Sequence, residues 1–116
     1  MSSAAALATL DIYQRDGLLT RAASLSPRWE EAVHSLKGSP HVIDVRNYGL
    51  IGAIEFEPRS GKPGARGYDI FTKCFERGVM VRQTADIIAL SPPLIVEDKH
   101  IDQIMSTLKQ VAAETA

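Results

Sequence analysis

The hydrophobic period of this chain changes abruptly at Gly38 and Pro40. Before that point Leu18, Ala22, Leu25, Trp29, Ala32 and Leu36 recur at alternating steps of four and three, which lines them along one face of a helix. After it, "HVIDVRNYGLIGAIEFEP" alternates, and alternation is the period of a strand with one buried face. A chain that holds both periods cannot be a plain helical bundle or an all-β barrel. It must stack helices on a sheet.

The remaining segments fall into place around that switch. From about Ser3 to Asp16 the residues are good helix formers, and Gly17 stops them. Pro27 lies inside the second helical pattern, so a kink is expected there, or a fresh start capped by Ser26. The alternating stretch reads as two strands about an Asn-Tyr-Gly turn. Ile43 and Val45 are expected on one face of the first strand, with Asp44 and Arg46 on the other. In the second strand Leu50, Gly52, Ile54 and Phe56 fall together, and Glu55 and Glu57 point the opposite way. "RSGKPGARG" is a loop by composition. "ARGYDIFTKCFERG" is an amphipathic helix with Ile70, Cys74 and Phe71 inward and Gly78 at its end. Two short strands follow, Val79 to Arg82 and Ile87 to Ser91, joined by "QTAD" and ended by Pro92 and Pro93. A last helix from about Asp98 carries Ile101, Ile104, Met105, Leu108 and Val111 on one face. The expected class is α+β, a small mostly antiparallel sheet backed by helices. Residues 1–116 are expected to form one domain, with a helical segment over about 3–37 and a sheet-and-helix part over about 41–116.

Composition removes several functional classes. Net charge is -1 with the basic residues scattered, so no electrostatic footprint for nucleic acid or an anionic membrane stands out. No apolar run nears the roughly 20 residues that span a bilayer. The start lacks the basic region of a secretion signal, and the one cysteine, Cys74, fits a reducing compartment. A cytoplasmic location is expected. His34, His41 and His100 have no metal-ligand spacing, and Cys74 reads as an inert buried thiol. "SGKPGARG" lacks the spacing of a phosphate loop, and Glu55 with Glu57 reads as a solvated strand face. Trp29 reads as a core or interface anchor.

One residue stands out. Arg82 ends an apolar run in "GVMVRQTADIIALSPPL", and a guanidinium always carries its charge. Either it reaches solvent or pairs with an acid such as Asp86, or it is a receptor for an anion.

The order of elements and several phrases resemble class III (ω-amino acid) aminotransferases, which are pyridoxal-phosphate enzymes of fold type I. "AAALATLDIYQRDGL", "VIDVRNYGLIGAIEF", "GARGYDIFTKCFERGVMVR" and "IIALSPPLIVEDKHID" are similar, in the same order, to the C-terminal part of such enzymes. The ω-amino acid:pyruvate (β-alanine:pyruvate) branch is the nearest likeness. The resemblance implies a small domain whose arginine, here Arg82, binds the substrate carboxylate. It also implies a homodimeric parent that uses pyridoxal phosphate, a small-molecule amino donor and pyruvate. None of Lys37, Lys62, Lys73, Lys99 and Lys109 sits in the family's lysine motif. The chain is therefore expected to be a fragment without the large cofactor domain, with no catalytic, cofactor-bonding or metal-binding residue of its own, and inactive alone. Gln83 and Ala85 depart from the branch, which is expected to have a small apolar residue and a glycine there. The alternative left open is a stand-alone α+β anion-binding, regulatory or dimerisation module.

Overall fold

A computed structural model describes residues 2–116. Helix α1 spans Ser2–Arg15 and α2 spans Leu18–His34, and Gly17 separates them at a φ of +59°. That left-handed turn is open to glycine at no steric cost. No residue of α1 is buried, and its Leu7 and Leu10 are 64% and 60% exposed. The second helix runs unbroken through Pro27, so there is no restart at Ser26. Tertiary packing overrides the local penalty: Trp29 and Val33, just beyond the proline, are fully buried.

Four strands make one sheet: β1 (Val42–Tyr48), β2 (Ile51–Phe56), β3 (Arg82–Thr84) and β4 (Ile87–Leu90), in the order β1-β2-β4-β3. Every pairing is antiparallel. Helices α3 (Ala65–Glu76) and α4 (Asp98–Glu114) join α2 in the core that packs on the sheet, as the α+β reading expects. Val45, Ile54 and Ile88 line up across three strands on the buried face. Each fully buried isoleucine contributes about 1.5–3 kcal/mol. Gly52, on the same face, lets α2 come close, since a Cβ there would lie 3.0 Å from Val33 Cγ2.

Two expectations about the strands are corrected. Register shifts between Val42 and Asp44, and this bulge turns Ile43 outward to 59% exposure while Val45 stays inside. An extra residue in one strand reverses the facing of whatever precedes it. The second correction concerns Arg82, which begins β3 and does not end a strand over Val79 to Arg82. Val79 and Val81 are buried in the segment leading to it, while Gln83 and Thr84 belong to the strand. Only Ala85 and Asp86 form the turn, and β4 stops at Leu90.

Ala85 occupies that turn at a φ of +50°, which explains the glycine expected there. Ala85→Gly relieves the strain but adds freedom to the unfolded chain. The expected net effect is a gain of roughly 0.5–1 kcal/mol, seen as a higher urea midpoint at unchanged slope. A lower midpoint would show that the turn carries no such strain.

Candidate functional site

Arg82 lies on an edge strand, and the sheet register sets which way it faces. Arg46, Ala53, Ala89 and Arg82 stand directly opposite one another across the four strands. Directly paired residues share a face, so all four belong to the side away from the helices. Next to them Val45, Ile54, Ile88 and Gln83 form the row that faces the core. The exposed row thus carries an arginine at each margin and two methyl groups between. Three strand spacings put those arginines about 14 Å apart at the backbone.

The two cations differ in their company. Arg46 donates to Asp44 Oδ2 at 2.5 Å and Glu55 Oε2 at 3.0 Å, and these bonds raise its pKa, Asp44 first. Glu55 is therefore engaged in an ion pair and is not half of an acid–base pair with Glu57. The Arg82 side chain is exposed and has no hydrogen bond or ion pair among the described residues. Each of the seven other arginines donates to a carboxylate or a backbone carbonyl. Asp86, the acid nearest in sequence, is turned elsewhere. Its carboxylate accepts from the backbone N–H of Gly64 at 2.6 Å and of Gly67 at 3.0 Å.

Beside Arg82 opens a cavity of about 1050 Å³. Apolar groups such as Trp29, Ile51, Met80 and Pro92 form much of its wall, and Arg82, Glu97 and His100 add charge and polarity. A mostly apolar hollow with a few polar groups suits a small organic ligand. Glu97 and His100 also cap α4, with the Glu97 N–H donating to His100 Nδ1 at 3.1 Å. His100 is thus a capping residue as well as an exposed one, a role its spacing from Glu97 could have signalled.

The other candidates lie apart. His34 Nε2 bonds Asn47 Oδ1 at 2.8 Å, and His41 Nδ1 lies 3.7 Å from Glu57. No group of three His, Cys, Asp or Glu side chains is placed to hold a metal ion among the described residues. No helix of the described residues is long and apolar enough to cross a membrane. Trp29 is fully buried at the head of the core, as a core anchor should be. Lys73 donates to the Glu114 carbonyl and the Thr115 hydroxyl, and no lysine lines the cavity among the described residues. One cation escaped the sequence reading. Arg66, on α3, is buried and donates to the carbonyls of Glu57 and Thr115, tying the loop after β2 to the end of α4.

Comparison with known proteins adds a family. The profile of "Aminotransferase class-III" matches residues 1–112. An omega-aminotransferase of Caulobacter vibrioides is 50% identical over 114 residues, which cover 98% of this chain and 26% of that protein. A beta-alanine–pyruvate aminotransferase of Pseudomonas aeruginosa is 36% identical over 108 residues, 93% of this chain and 24% of that one. The chain thus spans about a quarter of the length of these relatives. A transaminase structure with L-alanine superposes with a TM-score of 0.87 at 29% identity, over 94% of this chain and 27% of its own. An omega transaminase of Pseudomonas jessenii has a TM-score of 0.85 at 24% identity, covering 92% of this chain and 25% of its own, and shares the fold.

Cys74 is fully buried, and burial pushes its thiol up to about 11 against a weaker downward pull from Arg77. A raised folded-state pKa means the thiol is neutral at pH 7, and any stability it contributes is present below the unfolded pKa. Folding stability should therefore fall as pH rises from about 9 to about 11. A Cys74→Ser variant should show a shallower fall in that window, and thiol reagents at pH 8 should label Cys74 only in denaturant. Rapid labelling of the folded chain would contradict this.

Proposed function

This chain belongs to the class III aminotransferase family, and from that premise we propose that it is the substrate-recognising small domain of an ω-amino acid:pyruvate aminotransferase. The parent transfers an amino group from an ω-amino acid or amine to pyruvate. It is a cytoplasmic homodimer, and the present chain is its C-terminal part. The names of the two curated relatives support the reaction class. The motif order quoted above supports the C-terminal place.

Pyridoxal phosphate, when bound, supplies the electron sink for such chemistry. The groups around the cavity do not fit it as a resident cofactor. A lysine to bond the aldehyde is missing from the lining, and its cations are Arg82 and, when protonated, His100. The cofactor is therefore assigned to the rest of the parent. By itself this chain should not transaminate.

What these residues do is receive the substrate. The observation that carries this is the unpartnered charge of Arg82 at the cavity rim. A guanidinium presents a planar fork that meets both carboxylate oxygens at once. Because Arg82 has no ion pair to break, an incoming carboxylate displaces only water. Ala53 and Ala89 leave room on the sheet beside it, and the edge strand gives a firm backbone beneath a long, movable side chain. An amine without a carboxylate needs none of this. Its apolar part fits the apolar wall instead.

A second reading keeps one specific observation. The exposed apolar side chains of α1, Leu7 and Leu10, suit an assembly module that docks through that helix.

The coding frame on both sides of this chain distinguishes the readings. A long upstream frame encoding a lysine-bearing cofactor domain is expected. A frame that continues far beyond Ala116 would place the segment elsewhere in the parent, and an isolated frame would favour the assembly module. In the holoenzyme, Arg82→Ala should lower kcat/KM for carboxylate-bearing donors about 10- to 100-fold, as loss of a charged hydrogen bond worth about 1.5–3 kcal/mol requires. Simple amines should change far less. Equal losses for both would remove Arg82 from carboxylate recognition.

A further inference from the structure

We propose that Asp86 is the positioning residue for Arg82: it locks the β3–β4 turn onto the first turn of α3 and so fixes where the guanidinium projects. This rests on the carboxylate role of Arg82 argued above. Asp86 is only 6% exposed, yet none of its bonds goes to an arginine. Oδ2 accepts from the N–H of Gly64, which caps α3, and Oδ1 from the N–H of Gly67 within its first turn. Those are donors that a helix start leaves unpaired, and a carboxylate also suits the positive end of the helix dipole. The cap is supplied from 19 and 22 residues away, because Gly64 has no side chain to supply it.

Two further contacts make the junction rigid. The Asp86 carbonyl accepts the Phe56 N–H at 2.9 Å, which ties the turn to the end of β2. Gly67 lies so close to the turn that a Cβ there would stand 2.2 Å from the Ala85 carbonyl oxygen. The turn is thus held by helix, sheet and close packing together. Arg82 lies three residues back along β3, about 10 Å from Ala85. Tilting the turn by about 10° would move the Arg82 backbone by roughly 2 Å, and misplacement of about 1 Å can cost on the order of 100-fold in rate. A short edge strand has only one strand beside it, so the turn that joins the two and its packing on α3 decide its aim.

The test is a double-mutant cycle in the holoenzyme, with KM and kcat measured for a carboxylate-bearing donor and a simple amine. Asp86→Asn keeps the shape and can still accept through its one amide oxygen, so it should fold. It should raise KM for the carboxylate donor about tenfold and alter amine kinetics by less than about twofold. On an Arg82→Ala background the same change should leave the carboxylate KM where Arg82→Ala put it. That non-additivity is the signature of one residue acting through another. If Asp86→Asn weakens both donor types equally, or its effect persists without Arg82, Asp86 is merely structural and the proposal falls. If Arg82→Ala itself fails to separate the two donors, it is the carboxylate reading that fails. A readout independent of turnover is amide exchange: Asp86→Asn should speed exchange at Gly64, Gly67 and Phe56, whose N–H groups bond Asp86, well beyond that at Ile101. Unchanged exchange at those three amides would show that Asp86 does not hold the turn.

Discussion

The pairing of β2 with β4 is the contact on which the rest depends. It sets Ile54 against Ile88, both fully buried, and joins two hairpins that lie far apart in the chain. A two-stranded hairpin alone is marginal in water, whereas four strands with a helix-covered face hold together. The register of that pairing also decides chemistry. A slip by one residue would exchange the faces of β4 and β3 relative to β2. Arg82 would then point into the apolar core and Gln83 out of it. The same hydrophobic contact that stabilises the sheet therefore aims the cation.

Charge is arranged to a similar end. Seven arginines are occupied by carboxylates or carbonyls, and several of those bonds staple distant segments. Arg21 holds the backbone at Leu94 and Val96, while Arg59 and Arg66 reach the C-terminal end of α4. Arg82 is left exposed and its side chain unpaired among the described residues, with two alanines beside it and an apolar hollow below. A cation already paired would have to give up that pair before binding a ligand, whereas one held only by water exchanges it at small cost. Its place at the sheet margin and the firm turn behind it suit an exposed arginine to the proposed receptor role.

Much of this was legible in the residues. The 3.6-residue stripe from Leu18 to Leu36, the alternation through Phe56 and the spacing from Ile101 to Val111 each found their element, because burial of one face enforces a period. The misses share a cause. The bulge that exposes Ile43 arises where the chain enters the sheet from His41, at a φ of +63°. The continuity of α2 through Pro27 reflects packing beyond the proline. The apolar Val79 and Val81 suggest a strand that ends at Arg82, but they are buried without being paired. Asp86 offered itself as an ion-pair partner for Arg82, being near in sequence. Its actual partners are backbone amides 19 and 22 residues upstream, and only the folded chain reveals them.

By itself, then, the sequence determined the elements, the α+β class and the family, since periodicity, glycine placement and motif order are local properties. It also singled out Arg82, since an arginine after Val79, Met80 and Val81 is conspicuous in one dimension. The tertiary structure decided which partner each charge takes and which way each strand faces. Those depend on register and on contacts between segments far apart in the chain. Arg82 became a free cation beside a cavity, and Asp86 a brace for its strand, only when the two hairpins paired and α3 packed against the turn.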